Sequence, residues 1–199
     1  MNCGRVFRQN VFDFWHKILI FPAPVTLTSR YCSMTASSLP TKDYEKIGLQ
    51  KTEQAKEAME SMGISDDEVK MVIHNCEATG EKLHLPEEKR FLAKASVGER
   101  TVYVEYSPIE GSNAYKIHTA YAFRAKFKES KTGGVQTIKW HCFKCKEQMK
   151  SASVTMEYKG ISGAVEGMRC PKCGNSYLTE DVVKAKVLKA EKLIDAKSR

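Results

Sequence analysis

Apolar positions between residues 43 and 80 recur at helical spacing. From Asp43 to Met62, the residues Tyr44, Ile47, Ala55, Ala58, Met59 and Met62 fall on one face, and Gly63 closes the segment. Ser65-Asp-Asp-Glu68 follows. In this spacing the serine side chain accepts from the glutamate N–H and the glutamate returns a bond to the serine N–H. Val69, Val72, Ile73 and Cys76 then form the stripe of a second helix, which Gly80 ends. After Pro86 the period falls to two. Arg90 to Ala95 predicts a short strand. Arg100 to Tyr106 alternates, with Val102, Val104 and Tyr106 on one face and Thr101, Tyr103 and Glu105 on the other. Ser107 to Asn113, with Pro108 and Gly111, predicts a turn, and Tyr115 to Phe127 a long strand. Residues 41–128 thus read as an α+β unit: a small antiparallel sheet with two helices covering one face.

Lys128 to Gly134 is polar and glycine-bearing, and predicts a linker. Gln136 to His141 is a strand delivering Cys142, and Ala152 to Tyr158 is a second. Gly160, Gly163 and Gly167 punctuate the return to Cys170. Thr179 is placed to cap a closing helix whose first turn carries Glu180 and Asp181. Val183, Val187, Ala190 and Ile194 form its apolar stripe, and Lys184, Lys186, Lys189 and Lys192 face solvent. The expected organisation is a leader or extension over 1–40, an α+β domain over 41–128, a zinc ribbon over 129–178 and a C-terminal helix over 179–199.

The chemistry concentrates in Cys142-Phe-Lys-Cys145 and Cys170-Pro-Lys-Cys173, with 24 residues between the pairs. Four thiolates so spaced can close a tetrahedron around one metal ion, and zinc is the occupant expected first. A rubredoxin-like iron in the same cysteines is the alternative. Seven cysteines, an odd number, argue against a disulfide framework. A thioredoxin-type redox pair needs a strand–helix setting that neither pair has. Gly174 supplies a left-handed position after Cys173 and Pro171 pre-sets its turn, whereas Lys146 stands where the first turn would favour glycine. His74, His84 and His118 are scattered and read as ordinary histidines. Cys76 reads as a buried thiol on its helix stripe. Tyr103, Tyr106, Tyr115 and Tyr121 suit strands as well as a pocket. The sequence shows no Gly-rich phosphate loop, nucleophile elbow or Ser/His/Asp grouping, so it leans away from an enzyme.

The net charge of +8 is uneven: residues 129–178 carry +4 and residues 41–128 carry −1. A nucleic-acid face built from Lys139, Lys144, Lys146, Lys150 and Lys172 with Trp140, Phe143 and Tyr158 is therefore an alternative to a protein partner. Residues 1–40 contain Arg5, Arg8, Lys17 and Arg30 and many hydroxyl side chains, with one acid, Asp13, and with prolines at 22 and 24. This composition fits an organellar transit peptide, with Arg30-Tyr31-Cys32-Ser33 near its end. Translated upstream sequence before Met34 and a signal peptide are the rivals. The expected location is cytoplasmic, or mitochondrial if residues 1–33 are a transit peptide. No apolar run is long enough to span a bilayer.

Cys142 through Asp195 resembles the YgiT-type zinc ribbon of MqsA antitoxins in its paired cysteines, in Val154-Thr-Met-Glu-Tyr158-Lys-Gly160 and in Tyr177-Leu-Thr-Glu180 opening a helix. The resemblance implies a structural zinc and a protein partner. No helix-turn-helix pattern follows the ribbon in these residues, so that family's DNA reading is not implied. The same stretch is similar to small double-Cys-x-x-Cys "redox proteins" encoded near molybdenum hydroxylases in anaerobic bacteria. Glu77-Ala-Thr-Gly80 and Ala120-Tyr-Ala-Phe-Arg124 resemble companion domains of that group. This second likeness implies a redox or molybdenum enzyme as partner. The function expected is a zinc-binding accessory or interaction protein.

Overall fold

The computed structural model describes residues 42–198, with residue 42 and residues 129–137 described by their backbone alone. Its centre is set by three strands that are apolar on both faces: β3 (Arg90–Val97), β4 (Arg100–Ile109) and β5 (Ala114–Phe123). Ala93, Val102, Val104, Ala120 and Ala122 pack beneath helices α1 (Glu53–Met62) and α2 (Asp66–Thr79). Leu92, Tyr103, Tyr121 and Phe123, which alternate with them, enter a second core with Val183 and Val187 of the closing helix. That helix runs through α3 (Glu180–Val182), a π turn (Val183–Val187) and α4 (Leu188–Lys197). The result is a helix–sheet–helix sandwich.

Among the described residues nine strands form one sheet. The others are β1 (Gly48–Lys51), β2 (Lys82–Leu85), β6 (Lys126–Cys142), β7 (Gln148–Tyr158), β8 (Ile161–Arg169) and β9 (Ser176–Tyr177). The order is β1-β5-β4-β3-β2-β6-β7-β8-β9, with β1 parallel to β5 and all other neighbours antiparallel. This overturns the expected small sheet followed by a separate zinc ribbon. Leu83 pairs with Cys142 and His84 with His141, so the strands carrying the cysteines continue the central sheet. Residues 128–134, expected as a linker, lie inside β6. The physical cause is visible at Tyr103, which alternation placed beside Thr101 and Glu105 on an outer face. It is 0% exposed. A sheet apolar on both sides needs cover on both, and the closing helix supplies the second cover.

Several local expectations shift for similar reasons. Lys42–Lys46 forms a 3₁₀ turn and Gly48–Lys51 forms β1, so the first helix starts at Glu53 rather than Asp43. Thr52 caps it: its hydroxyl accepts from the Ala55 N–H at 3.1 Å and donates to the His118 carbonyl of β5 at 3.1 Å. The Ser65–Glu68 capping box forms as expected, and Glu68 also pairs with Arg100 at 2.7 Å. Thr179 stands at the N-cap of the closing helix but makes no side-chain capping bond. Gly167 belongs to β8, and a Cβ there would lie 2.7 Å from Val154 and 2.9 Å from the Tyr177 carbonyl. Glycine at 167 is what lets β9 and Leu178 approach.

The long strand expected over 115–127 breaks at Arg124 and Ala125. Both N–H groups donate to the Glu191 carboxylate, at 2.6 and 2.7 Å. The π turn explains why Glu191 reaches them: its extra residue brings 191 to the sheet where an unbroken α-helix would bring Ala190. Val183, Val187 and Glu191 are buried and Ala190 is exposed. One turn on, Asp195 accepts from Lys159 at 2.6 Å, Arg124 at 2.5 Å and Tyr158 at 3.0 Å. The Lys159 and Arg124 hydrogen bonds hold the Asp195 carboxyl well below its ordinary pKa. A lowered carboxylate pKa stabilises the fold above the unfolded value of about 3.9, and the contribution fades as pH falls towards the folded value. Asp195→Asn is therefore expected to melt at a lower temperature than the parent at pH 7. The gap should narrow below about pH 4 when both melting curves are followed with pH.

Candidate metal centre

Two short turns at one end of the sheet carry the four cysteines. The first joins β6 to β7 and the second joins β8 to β9, and they are built alike. The Cys142 N–H donates to the Glu147 carbonyl at 2.8 Å, and the Lys146 N–H to the Cys142 carbonyl at 2.8 Å. At the same offsets, the Cys170 N–H donates to the Asn175 carbonyl at 2.9 Å and the Gly174 N–H to the Cys170 carbonyl at 3.0 Å. Each turn uses one left-handed residue, Lys146 at φ 60° and Gly174 at φ 76°. The first turn is anchored to the central sheet by the Phe143 N–H, which donates to the Lys82 carbonyl at 3.0 Å.

The folded sheet brings the two turns together. The sulfurs of Cys142, Cys145, Cys170 and Cys173 all lie within 4.8 Å of one another, and Cys142 and Cys173 are 3.8 Å apart. A tetrahedron with metal–sulfur bonds of about 2.3 Å has edges of about 3.8 Å, so the cluster fits one ion with little adjustment. All five described cysteines are free. Cys3 and Cys32 lie outside the described residues. Cys142 and Cys170 are buried, Cys145 is half-buried and Cys173 is exposed.

Crowding without a cation works against ionisation. Burial pushes the Cys142 thiol up, and burial with the neighbouring thiols pushes Cys145 up to about 12. Cys170 moves down: burial opposes its ionisation, but the backbone N–H groups of Cys173 and Lys172 and the adjacent thiols outweigh it. A cluster of thiolates this close needs a positive ion to compensate its charge. The four cysteines are placed to bind a metal.

Residues 138–197 match a family described only as a domain of unknown function (DUF7479). The match covers 60 of the 199 residues and takes in both turns, β7 to β9 and the closing helix. No curated protein and no solved structure matches this chain.

Of the residues named for a nucleic-acid face, the aromatic ones make contacts within the fold. Trp140 packs against the core beneath the closing helix. Phe143 lies edge-on to Phe91 and His84, at 5.9 and 6.4 Å between ring centres. Lys146 sits 3.7 Å from the Phe143 ring centre. Lys139 pairs with Glu87 at 3.2 Å, and Tyr158 donates to Asp195. Lys144, Lys150 and Lys172 are exposed.

One buried and one half-buried lysine escaped the sequence reading. Lys82 is 4% exposed and pairs with Glu77 at 2.5 Å, its ammonium 4.3 Å from the Phe91 ring centre and 4.6 Å from that of Phe143. Glu77 also accepts from the Tyr106 hydroxyl at 2.6 Å. This cluster packs Phe143, and with it the first cysteine turn, against α2. Lys94 donates to the Ser176 carbonyl and lies 4.3 Å from the Tyr177 ring centre, which ties β3 to β9. Burial lowers its pKa to about 8. Lys94 stood in an expected strand, over 90–95, whereas nothing in the sequence marked Lys82. Ser107 and His118 sit 3.0 Å apart across β4 and β5. Among the described residues no carboxylate bonds the other ring nitrogen of His118, so the pair reads as a cross-strand hydrogen bond rather than a nucleophile and its base.

The two turns differ most at their left-handed residues, and this yields a stability contrast. A Cβ at Gly174 would lie 3.1 Å from the Arg169 guanidinium as well as adopting φ 76°. Gly174→Ala is expected to cost about 1–2 kcal/mol in denaturant unfolding. Lys146→Gly relieves the strain at 146 but gives up the contact with Phe143 and loosens the unfolded chain, so it should shift stability by less than about 1 kcal/mol.

Proposed function

We propose that this protein is a zinc-stabilised interaction protein, with Cys142, Cys145, Cys170 and Cys173 holding one structural zinc ion. The observation that carries the reading is the convergence of four sulfurs from two matched turns. An all-sulfur set selects a soft or borderline ion, and four protein ligands leave no coordination position for a substrate or a reactive water. The ion's part is then architectural. It clamps the β6–β7 turn to the β8–β9 turn at the end of a sheet that the closing helix covers. The aromatic residues near the cysteines are occupied in packing, which favours a protein partner over stacked bases.

The test is elemental analysis and a visible spectrum of the full chain as purified. One zinc per chain and a featureless visible spectrum are expected. A reddish chromophore that bleaches on reduction would replace zinc by iron and architecture by electron transfer. Absence of any metal after purification without chelator would sink the reading.

A further inference from the structure

β8 pairs with β7 along its whole length, but on its other side only Met168 and Arg169 meet β9. Among the described residues the edge from Ile161 to Gly167 has no strand partner. It contains no proline, lysine or arginine, and its one charged residue is Glu166. Beside this edge runs an apolar groove of about 250 Å³ between β8 and the closing helix, lined by Met156, Gly163, Val165, Val187, Ala190 and Ile194. The large hydrophobic side chains left exposed among the described residues are Ile161, at 55%, and Leu193, at 65%. Ile161 lines the groove, and Leu193 follows Ala190 by three residues on the same helical face. The open edge and the exposed apolar side chains therefore coincide.

We propose that this groove receives an extended peptide of a partner protein, added as a further strand on β8, with apolar side chains at alternate positions and acidic residues between them. Backbone bonds to the edge would supply affinity, and the groove would take every second side chain. The charge follows from Lys186, the lysine that lines the groove, with only a loose 3.8 Å contact to Glu166. Lys189 and Lys197, elsewhere on the same helix, are exposed with no ion pair among the described residues. A second copy of the chain is the competing occupant, and it would show as a dimer in solution. The inference rests on the interaction reading above and is independent of which metal the cysteines hold.

Selection of a phage-displayed random dodecapeptide library on the full chain tests it. Enriched peptides should alternate apolar with acidic residues, and the bound peptide should slow amide hydrogen exchange at Ile161–Gly167. Gly163→Glu puts a carboxylate into the groove at a position where a new Cβ meets nothing within 4 Å. It should weaken binding by about tenfold or more through like-charge repulsion. Lys186→Glu, on the exposed rim, should act in the same direction and guards against misfolding of the first variant. Failure to enrich, slowed exchange elsewhere, undiminished binding by both variants, or a dimer in sedimentation that Gly163→Glu dissociates would each overturn the proposal. Zinc is measured in the same sample. One zinc per chain without peptide binding sinks this inference alone, and peptide binding without zinc sinks the metal reading alone.

Discussion

Cys170→Ser is expected to abolish metal retention and to melt the cysteine end of the sheet at temperatures where the parent is folded. Of the four clustered cysteines Cys170 has the most to lose. It is 1% exposed, packs within the core beneath the closing helix, and begins the turn that returns the chain to β9. A structural zinc contributes about 10–16 kcal/mol of apparent binding energy that only the folded site collects. Net domain stability is about 5–15 kcal/mol, so the share of a zinc ion bound here would be comparable to the whole. A serine hydroxyl does not replace a thiolate, and four thiols at these distances cannot all ionise unaided. Hydrogen exchange read along the chain should show protection lost from Cys142 to Leu178. α1, α2 and β3–β5 should keep more of theirs, because their helix-side core includes none of the metal cysteines. Strong chelation of the parent should reproduce the variant. A Cys170→Ser protein that keeps both one metal ion and the parent's melting temperature would remove the structural role assigned to the site.

The cysteine site was legible in the sequence because its information is local. Cys-x-x-Cys fixes both sulfurs of a turn within four residues, and the glycine at 174 announces the left-handed residue that closes one of them. Ser65 and Glu68 declared their helix start for the same reason. What was not legible depended on partners far away in the chain. Tyr103 and Glu105 alternate identically in sequence, yet a helix 80 residues later buries the first at 0% exposure. β2 is four residues long and carries Lys82 and His84, so nothing local marked it as the strand joining two halves of one sheet. The glycines and polar residues at 128–134 read as a linker because propensity is local, whereas pairing with β7 is what makes that stretch a strand. The π turn had no signature at all. A strict helical count puts Ala190 on the buried stripe, and only the packed helix shows Glu191 there instead.

Glu191 carries the second large effect. Its carboxylate is 3% exposed and accepts from two successive backbone N–H groups where β5 gives way to β6. Neither N–H has a ladder partner at that break, so the side chain does what a neighbouring strand would otherwise do. Glu191→Ala would leave one buried and one partly buried donor unsatisfied, at about 1–3 kcal/mol for the buried one and less for the other, and would open a void in the core besides. The expected loss is about 3–5 kcal/mol, the range found when one partner of a buried charged group is removed. Glu191→Gln separates the causes. Its carbonyl oxygen can still accept both bonds, but its amide then faces Arg124, whose guanidinium lies 3.6 Å from the second carboxylate oxygen. Donor meets donor there, and the charge is gone, so about 1–2 kcal/mol should be lost even with the backbone satisfied. Unfolding in urea ranks the three proteins as parent above Gln above Ala. If Ala and Gln were equal, the backbone bonds would contribute nothing, and the break between β5 and β6 would have to be held by packing of the closing helix alone.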